Sequence, residues 1–173
     1  MHDGRTSHSF YYSIGRIDEE KTDCCWVAAR SCQRNGETLA IADATGVHSH
    51  GAVRMDYYAE RIAKGGITLA PKLSFEKTGP ATGIFHGDNG MGQYVCNEAM
   101  KIAIHLAKEA GIAYVGVEQT SHSGTMAYYV KKAAEEELIA LAMCQSDPMA
   151  VPFGGTRNYF GTNPIAFAAP RAG

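Results

Sequence analysis

Several features are scarce in this chain of 173 residues, and each scarcity excludes something. No apolar run reaches the ~20 residues that a membrane-spanning helix needs, so no membrane partner is expected. Met1–Phe10 is polar and has no hydrophobic stretch, so no secretory signal is read there. The cysteines are Cys24, Cys25, Cys32, Cys96 and Cys144, an odd count with irregular spacing and no C-x-x-C pair. That pattern argues against a disulfide framework and against a zinc site, so no metal is expected and a reducing cytoplasm is the natural compartment. Cys96 and Cys144 lie in apolar patterns and are expected to be buried thiols. Charge of one sign is also lacking: the net charge is −2, which gives no electrostatic reason to expect nucleic acid. The one acidic run, Glu135-Glu136-Glu137, reads as a solvated helix end.

What is present is ordinary for a globular chain, with 45% hydrophobic and 20% charged residues, enough for one domain or one domain with an appendage. Residues 1 to 36 show no clean period; Trp26–Arg30 suits one helical turn, which Gly36 is expected to interrupt. This segment reads as disordered, or as helical only through tertiary contact. The domain reading is therefore a poorly patterned segment, 1–38, and an α/β domain from Leu39 to the end.

From Leu39 the periods sharpen. Residues 50–64 read as a helix with Val53, Tyr57, Tyr58 or Ala59, and Ile62 inward, stopped by Lys64-Gly65-Gly66. Ile67–Lys77 reads as extended chain or loop, Gly83–Gly87 as a short strand, and Asp88-Asn89-Gly90 as a turn. A long helix is expected over 92–109, with Val95, Ala99, Ile102 and Leu106 in one stripe and Gly111 at its end. Ala113–Val117 reads as a buried strand and Leu138–Cys144 as another apolar strand, with a helix at 126–137 between them that turns Tyr129, Val130 and Ala133 inward. Pro164–Ala168 supplies a further strand. This alternation predicts an α/β fold with a mixed, partly parallel sheet flanked by helices.

Candidate chemistry concentrates in a few stretches. His48-Ser49-His50-Gly51-Ala52-Val53-Arg54 combines imidazoles, a hydroxyl and a guanidinium. An imidazole moves protons near neutral pH, and an Arg one helical turn beyond His50 would grip a carboxylate with its planar fork. A helix start capped by Ser49, with solvated His and Arg, accounts for the same residues. Three loops follow strands, where ligands bind in such sheets. Gln119–Thr125 places His122 among hydroxyls and glycine at a helix start, suited to an anion or to a plain cap. Gln145-Ser146-Asp147-Pro148 suits either a ligand contact or a turn, and Gly161-Thr162-Asn163-Pro164 suits either a contact or a flexible loop. Gly87-Asp88-Asn89-Gly90-Met91-Gly92 has its glycines in the reverse of the G-x-G-x-x-G order, so a conventional Rossmann reading is rejected and a structural turn is expected. Without a G-x-S-x-G elbow, acyl transfer is a weak alternative for Ser49 and His50.

Taken in order, Ala44–Arg54, Tyr57–Arg61, Ser121–Gly124, Met143–Gly155 and Gly161–Pro164 resemble the malate/L-lactate dehydrogenase family that lacks a Rossmann domain. The resemblance runs from about Leu39 to Ala169 and implies the non-Rossmann fold of that family. It implies NAD-linked oxidation of a small 2-hydroxy acid (NADP being the variant cofactor), in a homodimer. His122 then matches the family's proton acceptor, with His50 the second choice and Ser49 beside it in substrate binding and proton relay. Arg54 would hold the carboxylate, Tyr58 would shape the pocket and Asp147 would contact substrate. Ser123, Gly124, Thr125, Ser146, Thr162 and Asn163 would contact the cofactor. Family members are about twice as long, which implies an N-terminal half, with a non-catalytic fragment as the alternative to a working dehydrogenase.

Overall fold

The computed structural model describes residues 25–171, and the chain divides after Thr125 into two compact units. Residues 1–24 and the side chains of Cys25 and Cys32 lie outside the described residues, and with them the readings of the N-terminal ten residues and of the first three cysteines.

The first unit opens with helix α1, Cys25–Ala44. It passes through Gly36 without a break and across positions 38 and 39. The interruption expected at Gly36 does not occur. A mid-helix glycine costs only about 1 kcal/mol relative to alanine, and burial of Thr38, Leu39 and Ala42, each 2% exposed or less, outweighs it. Two 3-10 turns, His48–His50 and Ala52–Arg54, lead into helix α2, Met55–Ala63. The uniform helix expected from residue 50 is thus broken at its start, and its phase differs from the expected one. Tyr58 is buried and Ile62 packs on the core, whereas Val53 is 71% exposed and Tyr57 stands at the surface.

Strands β1 (Ser74–Gly79) and β2 (Thr82–Gly90) form an antiparallel hairpin, and β2 pairs in parallel with β3 (Tyr114–Thr120). Asp88-Asn89-Gly90 is therefore not a turn. It is the irregular end of β2, where register shifts between His86 and Gly90 and where Asp88 and Asn89 adopt φ of 47° and 54°. Short polar side chains that tolerate left-handed backbone look like turn formers in sequence and serve a bulged strand equally well.

Helix α3, Gly92–Ala110, connects β2 to β3 and packs on the sheet and on α1. The expected stripe is the observed one: Val95, Ala99 and Leu106 are buried, and Ile102 packs beside them. Phe85, Val95 and Ala99 form one cluster, and Leu39, Tyr58, Ile67 and Met91 form another. Each large side chain buried this way contributes about 1.5–3 kcal/mol.

In the second unit, helix α4 (Met126–Glu135) packs against an antiparallel pair, β4 (Ala140–Met143) and β5 (Ile165–Ala168). Tyr129, Val130 and Ala133 are buried, as the period predicts. These two apolar strands are covered on one face only. Strand alternation sets Ala140, Ala142, Ala166 and Ala168 on a half-buried face, with Leu141, Met143, Ile165 and Phe167 exposed on the other. β3 departs from its expected burial in the same way, since Tyr114 is 73% exposed. Cys96 and Cys144 are half-buried thiols outside any disulfide rather than fully buried ones. Among the described residues no helix is long and apolar enough to cross a membrane.

Candidate active site

Asp43, one residue before the end of α1, organises the first wall of the site. Its carboxylate accepts the Ala52 backbone N–H at 2.8 Å and lies 3.0 Å from Nδ1 of His48. Those two bonds, the backbone one first, hold its carboxyl below the usual carboxylate range. Gly51 sits between the two 3-10 turns because nothing larger fits: a Cβ there would lie 2.0 Å from Oδ1 of Asp43. The chain is thereby folded into two short turns where one turn of α-helix was expected between His50 and Arg54. Ser49 caps no helix. Its hydroxyl bonds Nδ1 of His50 at 3.0 Å, and its carbonyl accepts Nε–H of Arg54 at 2.7 Å. The Arg54 guanidinium carbon stands 5.8 Å from the centre of the Tyr57 ring.

The second wall comes from the loop after β3. Ser121 does not cap the helix that follows it; its hydroxyl accepts the Gly92 N–H at 2.9 Å, at the start of α3. The loop lies directly on that helix start. A Cβ on Gly92 would come within 2.3 Å of the Ser121 carbonyl oxygen and 2.4 Å of that of His122. The run 87–92 is thus structural, and Gly92 acts by letting one backbone lie against another.

This packing places His122 beside the first wall. Its Nδ1 is 2.7 Å from the Tyr58 hydroxyl and accepts the Gly124 N–H at 3.3 Å. Gln93, fully buried on α3, donates Nε2–H to the same hydroxyl at 2.7 Å. The His50 and His122 rings lie 5.5 Å apart. Burial, then the positive charge of Arg54, then His50 and Arg61, push the His122 imidazole down to about 4. His50 is lowered as well, by burial and then by Arg54. Burial pushes the Tyr58 hydroxyl up to about 12, so it stays a neutral hydroxyl.

Of the residues singled out in sequence, Ser49, His50, Arg54, Tyr58 and His122 form one cluster, with Gly124 against it. Gly124 is buried at φ 74°, close to Thr38 and Gln93. Asp43 and Gln93 were not singled out. The signal for Gln93 is faint but real: a polar amide on the inward side of an amphipathic helix, with a second buried amide, Asn97, one turn on.

The second unit gathers its own polar group. Pairing of β4 with β5 brings residues 146 and 163 together just beyond the strand ends. Oγ of Ser146 accepts the Thr162 N–H at 2.8 Å and more weakly that of Asn163 at 3.4 Å, and it lies 3.2 Å from Oγ1 of Thr162. The Ser146 N–H bonds Oδ1 of Asn163 at 3.0 Å. Asp147, the next residue, is exposed.

The profile of the malate/L-lactate dehydrogenase family matches residues 25–173. The chain is 53% identical over 137 residues to "Ureidoglycolate dehydrogenase (NAD(+))" of Escherichia coli, covering 79% of this chain and 39% of that enzyme. It is 42% identical over 134 residues to malate dehydrogenase of Pyrococcus horikoshii, covering 78% of this chain and 37% of that one. The solved structure of the Pyrococcus horikoshii enzyme superimposes with a TM-score of 0.84 over 95% of this chain and 46% of its own. That of sulfolactate dehydrogenase from Methanocaldococcus jannaschii does so with a TM-score of 0.77 over 83% of this chain and 43% of its own. The chain therefore spans about two fifths of the length of the curated relatives it matches. On the profile match and the shared motifs, the chain belongs to the malate/L-lactate dehydrogenase family.

Proposed function

We propose that this chain carries the substrate-side residues of a nicotinamide-dependent 2-hydroxy acid dehydrogenase. The observation that carries the proposal is geometric: the Arg54 Nε–H bonds the Ser49 carbonyl at 2.7 Å beside the His50 and His122 rings, which lie 5.5 Å apart, and both imidazoles are lowered by burial first and by the positive charge of Arg54 second. A carboxylate bound to Arg54 offsets that charge and raises the basicity of both rings. The hydroxyl on the carbon next to the carboxylate then meets a base that binding itself has strengthened. His122 exchanges the proton of the substrate oxygen, with His50 the second candidate, and Ser49 orients His50 through their 3.0 Å contact. Tyr58 holds His122 in place.

The oxidised form of NAD, or of NADP, supplies the hydride acceptor when bound. In the first unit the hydroxyls of Ser123 and Thr125, and in the second, taken by itself, the hydroxyls and amide of Ser146, Thr162 and Asn163, are of the kind that contacts a dinucleotide's ribose and carboxamide groups. Ser146 retains its O–H while its oxygen holds the 162–163 backbone. Gly124 serves that contact by its close fit, its N–H being given to His122. Asp147 is assigned to substrate. Residues 48–61 and 143–155 resemble ureidoglycolate dehydrogenase in particular, so we assign (S)-ureidoglycolate as substrate and oxalurate as product, in a cytoplasmic homodimer that degrades allantoin.

The test is a titration of the chain with NADH followed by fluorescence, then assay of NADH formation from ureidoglycolate, malate, lactate and diketogulonate. Binding below millimolar, with ureidoglycolate preferred, supports the proposal. His122→Ala is expected to lower turnover about 100- to 10,000-fold with NADH binding kept. No binding at millimolar NADH overturns the dehydrogenase reading in favour of a non-catalytic fragment.

A further inference from the structure

The relay behind His122 has a direction, and that direction is legible. Gly124 offers a backbone N–H, which can only donate, so the Nδ1 atom it meets at 3.3 Å must be an acceptor. Nδ1 is then bare in the neutral ring, and the Tyr58 hydroxyl 2.7 Å away must be the donor to it. With its single proton directed at Nδ1, the Tyr58 oxygen accepts from its other neighbour, so Gln93 must present its NH2 and not its carbonyl. The other end of the amide bears the cost of that orientation: Oε1 of Gln93 is buried and has no hydrogen-bond partner among the described residues. A buried, unpaired carbonyl is costly, and the chain tolerates it at the one amide whose orientation the relay dictates.

We infer that Gln93 is a positioning residue that, through Tyr58, acts together with the Gly124 N–H to hold the proton of neutral His122 on Nε2. The hydrogen-bond chain runs Gln93 to Tyr58 to His122, and the ring shows a donor to whatever oxygen it meets. The tautomer itself stands on geometry alone; its bearing on chemistry rests on the function proposed above. Under that reading the resting site is set for the keto oxygen of a 2-oxo acid. Accepting a proton from a hydroxy acid at Nε2 requires the chain to reverse, with Nδ1–H donating to Tyr58, Tyr58 donating to the Gln93 carbonyl and the Gly124 N–H giving up its contact with Nδ1. The unpaired Oε1 is the atom that such a reversal would use, once the carboxamide turns over.

The test needs neither cofactor nor substrate, so it can fail independently of the dehydrogenase reading. The full chain is labelled with 15N, and the ring nitrogens of His122 are read by long-range proton–nitrogen correlation at pH 7, assigned by their loss in His122→Gln. The expected result is an unprotonated, pyridine-type Nδ1 and a protonated, pyrrole-type Nε2. A protonated Nδ1 in the wild-type chain overturns the inference. Gln93→Glu, read at pH 8, replaces the donor with an acceptor and is expected to reverse the two nitrogen shifts. Gln93→Met removes the donor to Tyr58 without adding charge while Gly124 still donates to Nδ1, and is expected to move the two nitrogen shifts part of the way toward each other. Unchanged His122 shifts in a folded variant of either kind, judged by unaltered His86 and His105 signals, overturn the role of Gln93.

Discussion

Acid should destabilise the protein through one identifiable group. His122 is neutral in the folded state because burial and neighbouring positive charge lower it from 6.5 to about 4. In the unfolded chain it protonates near 6.5. Between those two values the unfolded state binds one proton more than the folded state, so stability rises with pH and falls as pH is lowered. At about 1.4 kcal/mol per pH unit, the loss from pH 6.5 to pH 4 amounts to about 3 kcal/mol, and it levels off below pH 4. For a chain of this size that corresponds to roughly 6–12 °C in Tm. The assay is urea unfolding at half-unit steps from pH 7 to pH 3.5, comparing the wild-type chain with His122→Gln. Every other ionisable group is common to both proteins, so the difference between the two curves isolates His122. The variant is expected to start less stable, since it loses the Tyr58 contact, and to fall less steeply between pH 6.5 and pH 4. Parallel curves through that window would refute the assignment of a buried, neutral His122.

Two further outcomes follow from the same geometry. Gly92→Ala forces a Cβ to within 2.3 Å of the Ser121 carbonyl oxygen; overpacking of this kind costs about 1–3 kcal/mol, seen as a lower urea midpoint, and it should displace His122 from Tyr58. Arg54→Met removes the second-largest cause of the low His122 value; an NMR titration should find that ring titrating higher than in the wild type but still below 6.5, because burial remains. In an active preparation the same change should raise the KM for the hydroxy acid far more than that for the nicotinamide cofactor.

The division between sequence and tertiary structure can be read from particular elements. α3 was legible to within a residue because its stripe of Val95, Ala99, Ile102 and Leu106 repeats over about three turns and Gly111 closes it. α1 was not, because its residues carry little amphipathic pattern and its helicity depends on packing against α3. Strand identity at 114–120, 140–143 and 165–168 came from local apolar runs, but their exposure did not. An apolar run says that a strand suits burial on both faces and not which of those faces its own chain covers. At the site, the chemical residue types and their order pointed to the family and singled out Ser49, His50, Arg54, Tyr58 and His122 as candidates. Only the tertiary structure decided that Asp43 folds the first wall into two 3-10 turns, that Ser121 binds the start of α3, and that Gln93 stands behind Tyr58. The physical reason is separation along the chain. Tyr58, Gln93 and His122 span 64 residues, and a hydrogen bond of 2.7 Å between such positions is set by how helices and loops pack.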